Sequence, residues 1–359
     1  MTTTPLRVGV LGLSHDHIWN NLPPRRDGAV GRLVAVAEAD AELRGRLERE
    51  YGAVETHDTF DALLERGDLD AVFVYSDNWT TAEWARRALE RGLPTMLEKP
   101  MAADLAGADA LLAASRERGV PLMVNWPTAW RPALIHGLDL VRRGAVGEPF
   151  QVSHRGGHVG PIEYGCSPQF CEWLYDPHRN GGGALIDYCG YGALLCRYLF
   201  GRPESVTAVA GHLRKEGLRA EDNAIVVLGY PRALGLLEAS WTQVGGQPAY
   251  AMIVYGDAGT LLVHQPKATH EGGIASPGRV ELVTQDGSRL IEPPTLPEDA
   301  ADGPTYFLTR VRDGHPIAGL VAPDLARDVQ EVLSAALRSS SEGRRVPLPL
   351  SPDAPRGHN

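Results

Sequence analysis

At 359 residues the chain exceeds what one hydrophobic core usually holds, so two domains are expected. Its 43% hydrophobic and 22% charged residues exclude wholesale disorder. A formal net charge of -10 argues against nucleic acid or an anionic membrane as partner. No apolar run reaches the roughly 18 residues of a membrane helix. The opening MTTTPLRVGV shows no secretory pattern, so a cytoplasmic location is expected. The four cysteines, Cys166, Cys171, Cys189 and Cys196, lack the paired spacing of a zinc site. They are read as free thiols, and no metal is expected.

The first 125 residues alternate strand and helix. Short apolar strands are expected at Arg7–Leu11, Leu33–Ala37, Ala71–Tyr75, Thr95–Leu97 and Leu122–Val124. Thr80-x-x-Glu83 reads as a capping box with Gly92 closing that helix, and Asp104 and Gly119 bracket the next. Apolar strands separated by helices predict a doubly wound parallel (Rossmann) sheet. A helix follows at about Pro132–Arg143. Beyond it the short β-rich segments Ser205–Gly211, Ala224–Gly229, Gly235–Ser240, Met252–Tyr255 and Val280–Thr284 predict a large, mostly antiparallel open sheet. Helices are expected at Ala184–Phe200 and Pro323–Ser340, and a loop at Pro293–Pro304. The predicted class is α/β, with a dinucleotide-binding domain over 1–125 and an α+β substrate and oligomerisation domain over 126–359.

The first strand runs into Gly12-Leu13-Ser14-His15-Asp16-His17, a degraded G-x-G-x-x-G phosphate loop. Gly12 serves the tight turn, and Ser14 is small. His17 is far larger than the usual last residue of the fingerprint. Glu38 ends the second strand, where an acid binds ribose hydroxyls and repels a 2′-phosphate, so NAD is favoured over NADP. Only three of the 35 basic residues are lysine (Lys99, Lys215, Lys267), and Lys99 sits at a strand end within Glu98-Lys99-Pro100. An ammonium can shift its pKa and move a proton, which a guanidinium does not. In Gly181-Gly182-Gly183-Ala184-Leu185-Ile186-Asp187-Tyr188-Cys189-Gly190-Tyr191, Asp187 and Tyr191 stand four residues apart on one helical face.

These motifs together resemble the glucose–fructose oxidoreductase/inositol dehydrogenase/rhizopine-catabolism (Gfo/Idh/MocA) family. Val74-Tyr75-Ser76-Asp77-Asn78 resembles its V-x-T-P-N turn, with Asp77 for the proline. Glu98-Lys99-Pro100 resembles its E-K-P motif, and the glycine-rich stretch resembles its GGG-x-x-x-D-x-G-x-H helix. Cys189 takes the small-glycine place there and Tyr191 that of the histidine, as in the branch of the family that carries tyrosine. Ala220-Glu221-Asp222-Asn223, Tyr255-Gly256-Asp257-Ala258-Gly259 and Ser341-Glu342-Gly343-Arg344-Arg345-Val346 resemble further family turns.

The resemblance implies hydride transfer between a nicotinamide cofactor and a sugar, cyclitol or related polyol. Lys99, Tyr191 and Asp187 are the expected catalytic groups, with Lys99 lowering the pKa of the phenol. Gly12, Leu13, Ser14, His15, Glu38, Ser76, Asn78, Glu98 and Lys99 are the expected cofactor contacts. Asn125, Trp126, His154, Arg155, His158, Trp173, His178 and Asp187 are candidate substrate contacts. A homodimer or homotetramer through the open sheet is implied. Two other functions stay open: glycoside cleavage by oxidation, elimination and reduction on retained NAD, and an NAD- or sugar-sensing regulator.

Overall fold

Six parallel strands form the first sheet: β1 (Leu6–Leu11), β2 (Gly31–Ala37), β3 (Glu55–His57), β4 (Ala71–Val74), β5 (Thr95–Glu98) and β6 (Leu122–Asn125). Their order is β3-β2-β1-β4-β5-β6, so the crevice where ligands bind opens between β1 and β4, where strand order reverses. The computed structural model describes residues 4–23, 30–245, 250–264, 267–268, 274–276 and 278–350. Between the strands run α1 (Ala41–Tyr51), α2 (Phe60–Leu64), α3 (Asn78–Glu90) and α4 (Leu105–Arg118). Asp104 caps α4 by accepting from the Gly107 N–H, and Gly119 ends it in the left-handed conformation, as expected. The cap of α3 is not Thr80. Asp77 accepts from the Thr80 N–H, one turn earlier, and Glu83 pairs with Arg86 on the surface.

No α-helix follows β1 among the described residues. The chain makes a 3-10 turn, Asp16–Asn20, capped by the His15 imidazole, whose Nδ1 accepts from the His17 N–H at 3.2 Å.

The second unit begins with α5 (Pro132–Arg142), β7 (Pro149–Gly157), α6 (Pro161–Tyr164), α7 (Pro168–Leu174) and α8 (Pro177–Asn180). A π-helical turn at Leu185–Cys189 then leads into α9 (Gly190–Phe200). Strands β8 (Ser205–Gly211), β9 (Asn223–Gly229), β10 (Leu234–Ser240), β11 (Tyr250–Gly256) and β12 (Thr260–His264) follow. Next come β13 (Lys267–Ala268), β14 (Ile274–Ser276), β15 (Arg279–Thr284) and β16 (Gly287–Ile291), then α10 (Gly303–Asp313), α11 (Pro323–Glu342) and β17 (Val346–Pro347). Nine of these strands make one sheet in the order β16-β15-β12-β11-β7-β10-β9-β8-β17. It is antiparallel except where β7 lies parallel to β10. Residues alternate across it: Ala224, Val226 and Leu228 of β9 face the helices, and Ile225 is 52% exposed on the other face.

The expected loop Pro293–Pro304 ends too late, because Gly303 and Pro304 already belong to α10. That helix returns to the first sheet. Its Tyr306, Phe307 and Leu308 share a buried cluster with Val8, Val10 and Phe73, and the Phe73 and Phe307 rings meet edge to face at 6.0 Å. α10 thus helps cover the sheet face on which only a 3-10 turn follows β1.

Candidate active site

Lys99 follows β5 at the carboxyl edge of the first sheet and is 5% exposed. Its Nζ donates to Asp187 Oδ1 at 2.7 Å and to the Asp187 carbonyl at 3.3 Å. The other carboxylate oxygen, Oδ2, accepts from Trp241 Nε1 at 3.0 Å. Burial alone would discharge both groups. Burial lowers the Lys99 pKa, but the charge and hydrogen bond of Asp187 together with Tyr191 and Glu98 outweigh it and raise the value above that of an ordinary lysine. Burial pushes the Asp187 carboxyl up, but the Lys99 charge and the hydrogen bonds from Lys99 and Trp241 bring it below the ordinary value. The pair is therefore ionised throughout the neutral range.

Tyr191 lies under this pair, with its ring centroid 5.0 Å from Lys99 Nζ. Trp126 meets the ring edge-on at 5.5 Å and His154 stacks at 6.2 Å. Burial raises the phenol pKa, and Lys99 lowers it without cancelling that rise. The expected net depression by Lys99 is thus corrected. The ammonium sits over the ring, and desolvation is the larger effect.

A single α-helix over Ala184–Phe200 was expected. The first part is instead the π turn Leu185–Cys189, so Asp187 and Tyr191 are not held at ordinary α-helical spacing. A π turn of this kind often marks a functional position. Its start is held by Glu221, whose Oε1 accepts from Gly183 N at 2.7 Å and from Leu185 N at 3.1 Å. Glycine is obligatory just before it. A Cβ on Gly181 (φ +92) would lie 2.1 Å from the Ala103 carbonyl oxygen, and one on Gly183 would lie 2.1 Å from that of Glu221. Asn78, at the start of α3, donates to the Asn180 carbonyl (3.0 Å) and Oδ1 (2.8 Å), fastening the same loop to the first sheet.

The Lys99–Asp187 pair and Tyr191 border a cavity of about 240 Å³ between the two sheets. Lys99, Asp187, Tyr191, His154, Arg155 and His158 reach its wall, but the Arg155 guanidinium turns away to Glu238 on β10 (3.3 Å). Asn125 and Trp126 are buried behind the wall. Asn125 Nδ2 donates to Glu98 Oε2 at 3.1 Å, and Trp126 packs on Tyr191. Trp173 is buried with its Nε1 on the Ser14 carbonyl (3.2 Å), and His178 stacks on the half-exposed Trp79 ring at 4.7 Å. Neither borders the cavity. His17, Thr128, Tyr164 and Tyr188 do, and sequence reasoning did not place them there. Only His17 carried a signal, as a bulky residue at a glycine position.

The dinucleotide crevice lies at the carboxyl ends of β1, β2, β4 and β5. Gly12 (φ +87) turns the chain so tightly that a Cβ would lie 3.0 Å from Ser76 Cβ and the Tyr75 carbonyl oxygen. The Glu38 carboxylate accepts from Leu13 N at 2.7 Å and from Asp40 N at 2.9 Å, which fixes it at the end of β2. The His15 N–H is spent on the Tyr75 carbonyl. The His15 ring is buried among Phe170, Trp173 and His17, and burial holds its pKa well below the ordinary histidine value. Ser76 is tied to Thr81 through both hydroxyls at 3.1 Å. A tight glycine turn, an acid ending β2 and a helix start after β4 fit a dinucleotide. Four of the loop's N–H groups are spent within the protein: Gly12 on the Ala37 carbonyl, Leu13 on Glu38, His15 on the Tyr75 carbonyl and His17 on the His15 ring.

The oxidoreductase family with an NAD-binding Rossmann fold (GFO/IDH/MocA) matches residues 6–126, and the GFO/IDH/MocA C-terminal domain matches residues 138–262. The chain is 30% identical over 324 residues to the dTDP-3,4-didehydro-2,6-dideoxy-alpha-D-glucose 3-reductase of Streptomyces antibioticus, covering 88% of this chain and 91% of that protein. It is 26% identical over 298 residues to the D-apiose dehydrogenase of Paraburkholderia graminis, covering 80% and 72%. The aldose-aldose oxidoreductase of Caulobacter crescentus has the same fold, with a TM-score of 0.80 at 24% identity over 96% of this chain and 100% of that one. With its dinucleotide crevice and Lys99–Asp187 pair, the chain belongs to the Gfo/Idh/MocA family of NAD(P)-dependent oxidoreductases.

Proposed function

We propose that this protein transfers a hydride between a nicotinamide cofactor and a carbinol or keto carbon of a sugar, cyclitol or related polyol. The observation that carries the reading is the buried, ionised Lys99–Asp187 pair set over Tyr191 at the wall of a small cavity. The bound nicotinamide supplies or takes the hydride. Lys99 has three N–H donors. Two face Asp187, and the third is left for the substrate oxygen, where its charge stabilises the developing alkoxide. Asp187, locked by Trp241, keeps Lys99 charged and aimed. Tyr191 exchanges the proton with the same oxygen. The relatives named above act on carbohydrates, which supports the substrate class. Glu38 favours NAD over NADP by repelling a 2′-phosphate. The open face of the nine-stranded sheet, with Val209, Ile225 and Leu234 half exposed or more, joins copies into a dimer or tetramer.

The test is a panel of sugars and cyclitols with NAD and with NADP, read by absorbance of the reduced cofactor. Reduced cofactor released in step with oxidised product supports the reading. Cleaved glycoside without reduced cofactor replaces it with a closed redox cycle, and cofactor binding with no turnover on the panel sinks it.

A further inference from the structure

Position 17 is where a dinucleotide fingerprint carries its last small residue, and here it is histidine. The 3-10 turn Asp16–Asn20, capped by His15, carries the His17 ring across the carboxyl edge of the sheet to β5. There His17 Nδ1 lies 2.9 Å from Glu98 Oε1. Glu98 is 2% exposed and is itself held in place. Its Oε2 accepts from Asn125 Nδ2 at 3.1 Å, and Asn125 Oδ1 accepts from Trp130 Nε1 at 2.8 Å. A carboxylate only accepts, so in the neutral imidazole the proton sits on Nδ1 and Nε2 is left as an acceptor. His17 borders the same cavity as Lys99, Asp187 and Tyr191.

Two neighbouring groups at that wall, Lys99 and His158, are fixed with the opposite polarity. Lys99 donates. His158 Nδ1 accepts from the Gly160 N–H at 2.9 Å, so its Nε2 carries the proton and donates. Each Asp187 carboxylate oxygen already accepts one hydrogen bond, from Lys99 and from Trp241. A polyol brings hydroxyls that must donate as well as accept, and an unmatched buried hydroxyl is costly. His17 Nε2 adds an oriented acceptor to a wall where Asp187 is partly occupied.

We propose that His17 is a substrate-positioning residue. Its Nε2 accepts a hydrogen bond from a substrate hydroxyl near the carbon held at Lys99, and Glu98 fixes the ring. This rests on the reading of the site as one for a sugar or polyol.

The test compares wild type, His17→Ala and His17→Gln. Initial rates are taken with NAD and each of D-glucose, D-galactose, D-xylose and myo-inositol, and NADH affinity is read by quenching of protein fluorescence. For a sugar that wild type oxidises, His17→Ala is expected to raise KM about 10- to 100-fold with kcat within about three-fold, as for loss of one oriented hydrogen bond. His17→Gln, which keeps an acceptor, is expected to recover KM to within about five-fold of wild type, and NADH affinity is expected to stay within about two-fold in both variants. An unchanged KM in His17→Ala overturns the proposal. So does equal loss in the Ala and Gln variants, which would mean simple packing. Weakened NADH binding with unchanged KM overturns it too and moves His17 to the cofactor. A folded wild type that binds NADH but oxidises none of the four removes the sugar reading and this proposal with it. An active wild type with an insensitive variant removes this proposal alone.

Discussion

Lys99 and Asp187 are the residues on which most depends, because each keeps the other charged inside the protein. Lys99→Met is expected to lower kcat by about two to four orders of magnitude, the range for a lost oxyanion or proton-transfer group. NADH affinity should change little, and single-turnover rates with a fluorescence titration check both. Asp187→Ala leaves an unpaired buried cation and is expected to destabilise the fold by about 3–5 kcal/mol, measured by urea unfolding. The sign of its pH dependence follows from the two shifts. The Asp187 pKa is lowered on folding, so its contribution is present above the unfolded value near 4 and is lost on acidification. The Lys99 pKa is raised, so its contribution is present below the unfolded value near 10 and is lost as pH rises through the raised value. The stability gap between wild type and Asp187→Ala should therefore be flat from about pH 5 to 9 and shrink below about pH 4. Tyr191 gives a separate signature. In the proposed chemistry its protonated form is the one needed for ketone reduction, and burial raises its pKa. The rate of reduction should hold through about pH 9 in wild type. Tyr191→Phe should fall in kcat and lose any alkaline limb. A raised KM with unchanged kcat would instead make Tyr191 a binding group.

At the level of elements, the departures from ordinary geometry gather around the site. The π turn, the three glycines before it and the carboxylate that holds its start act together. Glu221→Ala strips the acceptor from the Gly183 and Leu185 N–H groups. The expected cost is about 2–4 kcal/mol, with a drop in kcat as Asp187 shifts, checked by thermal unfolding and initial rates. Gly181→Ala meets the Ala103 backbone and should do at least as much damage to stability. The periodicity of Ala184–Phe200 shows a helix but not its π turn, because one extra residue in a turn barely alters an apolar pattern. The 3-10 turn after β1 was hidden for a different reason. The sheet face beside this short turn is shared by α10, from far along the chain, and no local pattern records that.

For the whole molecule the open sheet is decisive. Its uncovered face carries Val209 at 74% exposure, Ile225 at 52% and Leu234 at 50%, on adjacent strands β8, β9 and β10 or at their ends. In the proposed assembly this face leaves water by pairing with a copy of itself. Sedimentation at micromolar concentration is expected to show a dimer or a tetramer. Ile225→Glu combined with Val209→Glu should shift it toward monomer while the first domain keeps its affinity for NADH. A monomeric wild type would remove the sheet from any interface.

Several features were legible in the sequence by itself: the parallel strands, the extended sheet that follows them, Lys99 at a strand end and Asp187 beside a glycine loop. Strand burial, helix caps and turn glycines are local consequences of residue type, and a rare lysine beside a strand-end proline stands out without a structure. Tertiary structure decided which candidates meet. It brought Lys99 and Asp187 to 2.7 Å across 88 residues and set Tyr191 under them. It turned the Arg155 guanidinium away to Glu238 and placed Trp173 and His178 elsewhere. It also carried His17 to Glu98. Contacts between distant segments depend on how two sheets pack and on which groups are desolvated together, and no pattern of residue types along the chain contains that geometry.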